Sequence, residues 1–169
     1  LPVTDSWQSD LQIARFSDEN IDDSSFSSHS RTERDSVNWQ NHVQIGDNNA
    51  IVLGADFESE ELLYEMSGAA QTDTTRDNSA VFAVLDTQFA LSSRSVDTSL
   101  SLRYDDNEQF GSETTGKAAI GTNLSDNMQL WTSYSTAFKA PSLVELYVDF
   151  PGFFFYGNPD LQPETSHNV

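Results

Sequence analysis

Apolar and polar residues alternate along most of this chain, which is the pattern of extended strands that present two different faces. In the clearest example Ile51, Leu53 and Phe57 fall on one face, while Asp56 and Glu58 fall on the other. No segment keeps a helical period over several turns. The alternation therefore predicts an all-β chain.

Seven extended stretches are bounded by clusters of Gly, Asn, Asp or Ser, and an eighth begins near Thr165. The predicted strands cover residues 7–16, 36–45, 50–58, 80–91, 95–104, 114–124 and 128–138. Their lengths suit tilted strands that cross a bilayer, which need about 9–11 residues. The same alternation is also typical of a soluble antiparallel sheet with one buried face. The pattern alone leaves both interpretations open.

The connections between these strands alternate between short and long. Tight turns are predicted at 46–49, 92–94 and 125–127, and long polar or aromatic excursions at 17–35, 59–79, 105–113 and 139–164. In an up-and-down meander every second connection lies at the same end of the sheet. One rim would then carry tight turns and the other long loops, which is typical of bacterial outer-membrane barrels.

Composition excludes several classes of protein. The 169 residues contain 27 acidic and 8 basic side chains, a net charge of -19, which argues against binding to nucleic acid. The absence of cysteine excludes a disulfide framework and thiolate metal sites. There is no apolar run long enough for a membrane-spanning helix, so any bilayer crossing must be made by strands.

Two ordered motifs carry a family resemblance. Phe138-Lys-Ala-Pro141 precedes an aromatic loop, and Gly157-Asn-Pro-Asp-Leu-Gln-Pro-Glu164 follows it. This series resembles the TonB-dependent outer-membrane receptors. A second segment, Arg103-Tyr-Asp-Asp-Asn-Glu-Gln-Phe-Gly111 followed by Thr114-Thr-Gly-Lys117, looks most like the vitamin B12 (cobalamin) transporter branch of that family.

The resemblance implies a 22-stranded transmembrane barrel with an N-terminal plug, in the outer membrane of a Gram-negative bacterium. Such a receptor imports a scarce chelate, here cobalamin, with energy delivered through TonB. Residues 1–169 would then be part of the barrel domain, without the plug and the remaining strands. The expected partners are outer-membrane lipid, a small chelate ligand, and the TonB complex through the missing N-terminal region. We expect an open antiparallel sheet of about seven or eight strands rather than a closed eight-stranded barrel.

Two rival functions remain open at this point. The first is a fragment of a siderophore or haem receptor. The second, from another class, is a soluble acidic β-domain for adhesion or calcium binding. An enzyme is not expected, because the sequence has no nucleophile elbow, no identifiable Ser, His and acid trio, and no phosphate-binding loop.

The candidate ligand site is the aromatic part of the long excursion near the end of the chain. Its predicted ligand-binding residues are Tyr147, Phe150, Phe153, Phe154, Phe155 and Tyr156. Exposed apolar patches of this kind usually have a partner, and stacked aromatic rings at a barrel mouth would suit a flat ligand such as a corrin ring. The alternatives are that the loop packs over neighbouring loops or belongs to an aromatic girdle at the lipid boundary.

Acidic clusters supply the candidate metal ligands, and no cofactor other than Ca²⁺ is suggested. The candidates are Asp18, Asp22 and Asp23 in one predicted loop, and Asp105 and Asp106 at the start of another. Hard cations such as Ca²⁺ take several carboxylate oxygens, but the regular spacing of a dedicated calcium loop is missing. A solvated loop at 18–23 and turn chemistry at 105–108 are the simpler interpretations.

Overall fold

The computed structural model describes residues 2–23, 27–67, 69–92, 94–125, 127–150 and 154–169. Within these ranges nine strands form one antiparallel sheet, in which sequence order and spatial order coincide. The strands are β1 (Pro2–Thr4), β2 (Trp7–Asp22), β3 (Ser28–Ile45), β4 (Asn49–Met66), β5 (Ala69–Leu91), β6 (Arg94–Asn107), β7 (Gly111–Ser125), β8 (Met128–Lys139) and β9 (Glu164–Asn168). The described pairings do not join β1 to β9, so the sheet is open. The predicted all-β meander is confirmed.

A short helix, α1 (Leu143–Tyr147), lies in the described part of the connection between β8 and β9. Among the described residues there is no helix with the length and apolar character needed to cross a membrane.

The predicted strand ends were wrong at one rim. Pairing continues to Asp22 opposite Ser28 and to Met66 opposite Ala69, so the excursions predicted at 17–35 and 59–79 are mainly strand. The excursion predicted at 105–113 is also largely strand, because β6 reaches Asn107 and β7 begins at Gly111. The stretches 28–36 and 71–79 are polar on both faces, and the apolar residues of 59–66 include Leu62 and Tyr64 on the face opposite to that of Phe57, yet all three segments form ladder hydrogen bonds. Of the four predicted excursions, only 139–164 is a long connection.

The large exposed apolar side chains lie mostly on one face of the sheet, which we call the apolar face. Leu53 is 49 % exposed and Phe57 is 42 % exposed, so the chain itself does not bury this face in a compact core. Cross-strand partners place its members in register: Trp7, Leu11, Ile13, Val37, Trp39, Leu53, Phe57, Val81, Leu85, Phe89, Leu100, Leu102, Ile120, Leu130 and Tyr134.

The height of the apolar face matches the hydrocarbon band of outer-membrane barrels. On β3 it runs from Val37 to Ile45, and nine residues at about 3.3 Å each span about 30 Å along the strand. A strand tilted by about 40° would give a band of roughly 23 Å, close to the ~25 Å band of such barrels.

The opposite face, which we call the polar face, carries the only buried apolar cluster of the described residues. Leu62 and Tyr64 of β4 project from it and are fully buried beneath the connection between β8 and β9. Leu143 and Leu146 of α1 and the following Val148 complete the cluster. The buried core of the described residues therefore lies where the loop packs on the polar face, beyond the apolar band.

Candidate functional site

The long connection between β8 and β9, residues 140–163, begins with a capped helix. The Ser142 hydroxyl accepts a hydrogen bond from the Glu145 backbone N–H at 3.2 Å, and the Glu145 carboxylate accepts one from the Ser142 backbone N–H at 2.8 Å. This reciprocal capping box satisfies two N–H groups that the helix leaves unpaired. The hydrogen bonds from the Ser142 backbone and side chain lower the pKa of Glu145.

The return half of this loop is fixed against the end of α1. The Asn158 backbone N–H donates to the Glu145 carbonyl at 2.9 Å, and the Asn158 side-chain oxygen accepts from the Asp160 N–H at 3.0 Å. Leu161 packs against the buried cluster. A Cβ on Gly157 would lie 2.8 Å from the Leu146 carbonyl oxygen. Close backbone approach, rather than a left-handed turn, is therefore what requires glycine in the Gly-Asn-Pro motif.

Side chains of the strands and of a neighbouring turn hold the loop in place. The Tyr64 hydroxyl donates to the Asp149 carbonyl at 2.5 Å, and the Thr72 hydroxyl donates to the Tyr147 carbonyl at 3.3 Å. Gln109 donates from its amide to the Tyr147 hydroxyl at 2.8 Å. Burial, and then the charge of Asp149, raise the pKa of Tyr64. The loop is tied to the wall at several points along its length.

A cavity of about 980 Å³ lies between the polar face and the first part of this loop. Four of the chain's eight basic residues line it, together with five acidic residues. The charged lining residues are Arg34, Asp56, Glu58, Glu60, Arg76, Arg103, Asp105, Lys139 and Glu145. The lining is nearly balanced in charge, in contrast to the net -19 of the whole chain.

An ion-pair network lies on the wall of this cavity. Arg103 contacts Asp56 at 2.5 Å and Asp105 at 3.0 Å, and its guanidinium lies 5.8 Å from the centre of the Phe82 ring. A Cβ on Gly54 would overlap that ring, so Gly54 makes room for Phe82. Phe82, an apolar residue on the polar face of β5, is thus held between Gly54 and the Arg103 guanidinium.

Of the predicted ligand-binding residues, Tyr147 and Phe150 help to hold the loop together. Both pack against the buried cluster, and the Phe150 ring meets the Tyr64 ring edge-on with centroids 5.7 Å apart. Phe150 also pairs with Phe155 through two backbone hydrogen bonds of 2.8 and 3.3 Å. The interpretation that the loop packs over its neighbours holds for these two of the six predicted residues.

Two of the other predicted ligand-binding residues, Phe154 and Tyr156, are exposed, whereas the Phe155 ring lies 5.9 Å from the Phe150 ring. Phe154 is 88 % exposed and Tyr156 is 61 % exposed, and Phe155 lines the edge of the cavity. We call Phe154, Phe155 and Tyr156 the aromatic tip. Phe153 lies outside the described residues. Ligand contact by these side chains stays a prediction.

Two of the three acidic candidates near residue 20 lie on a strand and not in the predicted loop. Asp18 and Asp22 belong to β2, opposite Thr32 and Ser28, and Asp23 directly follows the strand. The prediction of a solvated loop at this position was wrong.

The second acidic pair is also on a strand. Asp105 faces the cavity and pairs with Arg103, while Asp106 is one residue further and points to the opposite face. The predicted turn chemistry is performed by Asn107, whose side-chain oxygen accepts from the Gln109 and Phe110 N–H groups at 3.1 Å each. Within the described ranges, no group of three His, Asp or Glu side chains is arranged to hold a metal ion.

His29 lies beyond the apolar band and joins three strands. Its Nε2 is 2.8 Å from a Glu19 carboxylate oxygen on β2, and its Nδ1 is 3.2 Å from a Glu65 carboxylate oxygen on β4. Both hydrogen bonds require both ring nitrogens to carry protons. Hydrogen bonds to Glu65 and to Glu19 accordingly raise the pKa of His29.

Sequence reasoning did not identify Leu62, Tyr64 or Arg76 as parts of this site. A signal for the first two exists, because the apolar positions of β4 change from odd numbers up to Phe57 to even numbers from Leu62. Arg76 lies in a polar stretch and carries no such signal.

The chain matches the family model of TonB-dependent receptor-like β-barrels over residues 2–169. It is 33 % identical to the vitamin B12 transporter BtuB of Photobacterium profundum, an alignment covering 97 % of this chain and 26 % of that protein. It is 31 % identical to the vitamin B12 transporter BtuB of Vibrio vulnificus, covering 96 % of this chain and 26 % of that protein. The chain thus spans about a quarter of the length of the curated relatives it matches. It belongs to the family of TonB-dependent receptor β-barrels.

Proposed function

We propose that this chain forms part of the wall, and one ligand-facing loop, of an outer-membrane receptor that imports cobalamin. The observation that carries the proposal is the pairing of an exposed apolar face, one bilayer band high, with a polar face that supports an aromatic loop. The similarity to two vitamin B12 transporters across almost the whole chain supports cobalamin as the ligand. A 22-stranded barrel is consistent with the family.

The apolar face supports a location in the outer membrane of a Gram-negative bacterium, with lipid as its partner. Its exposed Leu, Ile, Val and aromatic side chains would cost free energy in water, at about 25 cal/mol for each Å² left uncovered. A lipid environment removes that cost. TonB, acting through a part of the receptor outside this chain, would supply the energy for import.

The aromatic tip is the part of the loop that we assign to ligand contact. Phe154 and Tyr156 are exposed above a loop whose base is fixed, so their rings could stack on a corrin with little movement of the backbone. The nearly balanced charge of the adjacent cavity favours a polar ligand of low net charge over a strongly anionic chelate. Calcium has no part in the proposal.

Binding and uptake by the full-length receptor test this function. The purified receptor should bind cyanocobalamin, and should bind a ferric siderophore or haem far more weakly. Cells that carry it should take up cyanocobalamin only when TonB is present. Tighter binding of an iron chelate would instead favour the siderophore or haem receptor.

Paired substitutions test the aromatic tip. Replacing Phe154 and Tyr156 together by Ala should raise the Kd for cyanocobalamin by roughly tenfold or more, since each aromatic contact contributes about 0.5–1.5 kcal/mol beyond area burial. Asp160→Ala, at an exposed position of the same loop, is the matched control and should leave the Kd unchanged. Fractionation completes the test, because a protein found free of the outer membrane as a monodisperse monomer would exclude the receptor function.

A further inference from the structure

Arg76 of β5 connects the strands to the beginning of the 140–163 loop. One of its guanidinium nitrogens donates to the Pro141 carbonyl at 2.7 Å, and the other contacts the Glu60 carboxylate at 2.9 Å. The Arg76 side chain is only 11 % exposed. In the register of the sheet Glu60 lies directly opposite Arg76. The guanidinium therefore joins one neighbouring strand and one loop segment at the same time.

The carboxylate that orients Arg76 is itself held from its other side. The second oxygen of Glu60 accepts a hydrogen bond from Arg34 of β3 at 3.2 Å, and the Glu60 side chain is 9 % exposed. The Phe110 ring of the β6–β7 turn lies 5.9 Å from the Arg76 guanidinium carbon. Contacts from β3, β4 and the β6–β7 turn thus fix the position of the Arg76 nitrogen that faces the loop.

The contact with Pro141 lies at a position that controls the rest of the loop. Pro141 is buried and immediately precedes Ser142, the residue that caps α1. The ring of proline fixes its φ angle, so a hydrogen bond that orients its carbonyl fixes ψ, and with it the direction in which the chain enters α1. Fixing this carbonyl sets the point at which α1 begins, and α1 in turn contacts the return segment through the hydrogen bond from Asn158 to Glu145.

We propose that Arg76 is a positioning residue, which holds the aromatic tip at the mouth of the cavity by fixing the Pro141 carbonyl against the Glu60–Arg34 pair. A planar guanidinium can donate to a carboxylate and a carbonyl in fixed, divergent directions, whereas a lysine ammonium is a point charge on a flexible stem. Lysine should therefore replace the charge of Arg76 without replacing its function. The expected effect on the affinity for cobalamin rests on the proposed function, whereas the expected effect on the position of the loop does not.

The test uses the full-length receptor in lipid nanodiscs, with spin labels at Asp160→Cys on the loop and Asp73→Cys on β5. Both positions are exposed. In the unsubstituted receptor we expect one narrow distribution of label-to-label distances. Arg76→Ala should broaden and shift it, and Arg76→Lys should restore it only in part. Glu60→Gln, which keeps the shape of the side chain and removes its charge, should also broaden the distribution.

Arg31→Ala is the matched control, since Arg31 pairs with Glu33 on the other face of the sheet and does not face the cavity. It should leave the distribution unchanged. A distribution for Arg76→Ala that coincides with the unsubstituted one would overturn the proposal, as would an equal change in Arg31→Ala. Full rescue by Arg76→Lys would also count against it, because charge alone would then be sufficient.

The affinity for cyanocobalamin provides the second measurement. Arg76→Ala should raise the Kd about tenfold while the amount of receptor in the membrane stays the same, and Arg31→Ala should not change it. If the unsubstituted receptor does not bind cyanocobalamin, the proposed function fails, but the distance measurements still decide the function of Arg76. An unchanged Kd together with a displaced loop would overturn the link between loop position and ligand contact.

Discussion

Gly157→Ala should loosen the return half of the 140–163 loop without affecting the rest of the sheet. The added Cβ would lie 2.8–2.9 Å from three backbone atoms, those of Leu146, Tyr147 and Val148, where ordinary contacts are 3.4–4 Å. Backbone atoms cannot move aside as a flexible side chain can. The segment must therefore shift by about half an ångström, which would stretch the 2.9 Å hydrogen bond from Asn158 to Glu145 beyond its normal range.

The size of the effect follows from two opposing contributions. Overpacking of this kind costs about 1–3 kcal/mol. Replacing glycine by alanine also restricts the unfolded chain, which returns about 0.4–1 kcal/mol. The net cost of roughly 1–2 kcal/mol should make the loop open roughly 5- to 30-fold more often.

Hydrogen–deuterium exchange of the full-length receptor in lipid measures this opening. Peptides covering residues 154–161 should exchange roughly 5- to 30-fold faster in Gly157→Ala. Gly46→Ala is the control, because Gly46 has a φ of +63° but no atom within 4 Å of an added Cβ. It should strain its own turn and leave the 154–161 peptides unchanged. Equal exchange in Gly157→Ala and the unsubstituted receptor would refute the reasoning.

Three further predictions concern other parts of the chain. Ser142→Ala removes the cap of α1 and should cost about 1 kcal/mol, seen as faster exchange in the first turn of α1, whereas Ser142→Asp should retain protection. Protonated His29 bridges two carboxylates, so its contribution is complete below the ordinary pKa of about 6.5 and is lost as the pH rises through the raised value. The protection factor of the β2–β3 end, which is the exchange rate corrected for its intrinsic pH dependence, should therefore be higher at low pH, and a His29→Gln variant that kept this change in protection would contradict the assignment. Leu53→Arg on the apolar face should cost about 2–4 kcal/mol in folding into a bilayer, whereas Gln12→Arg on the polar face should cost little; equal costs would remove the case for a lipid-facing surface.

The sequence predicted the membrane-crossing part of the fold because alternation there is imposed by two different solvents. Apolar residues such as Ile51, Leu53 and Phe57 recur at every second position, so a slip of one residue would move them all to the opposite face. The strand extensions beyond that band could not be predicted from alternation, since segments such as 28–36 are polar on both faces. Only the backbone pairing, which has no signature in side-chain polarity, continues through them.

Only part of the site could be predicted, for a similar reason. The Gly-Asn-Pro motif and the aromatic run identified the loop, but its inward packing depends on residues more than 75 positions away, such as Tyr64 with Asp149. Local composition could not tell which aromatic residues of the run contact a ligand and which pack over neighbouring loops. The structure divides it, because Phe150 meets a buried Tyr64 while Phe154 meets none of the cluster.

The outer boundary of the lipid is marked by a change of chemistry between two adjacent rows of the apolar face. Across β2, β3 and β4 the last apolar row is Ile13, Val37 and Phe57, which are direct cross-strand partners. The next row on the same face is Arg15, Asp35 and Ser59, and it contains a two-contact ion pair between Arg15 and Asp35.

Charged side chains of this kind do not remain in hydrocarbon, so the lipid must end between the two rows. Beyond it water lies outside the barrel, and the apolar residues of β4 change to the inner face, where Leu62 and Tyr64 receive the loop. The change of face along one strand, without a break in its register with β3, therefore allows β4 to present apolar side chains outward in one part and to pack against the 140–163 loop in the next. A substitution that extends the outward apolar face beyond its last row, such as Ser59→Leu, should draw position 59 into the hydrocarbon and push the turn at residues 46–48, at the opposite end of the strand, further into water. An Asp47→Cys variant should then react faster with water-soluble thiol reagents. An unchanged labelling rate there would show that the position of the sheet does not depend on this row.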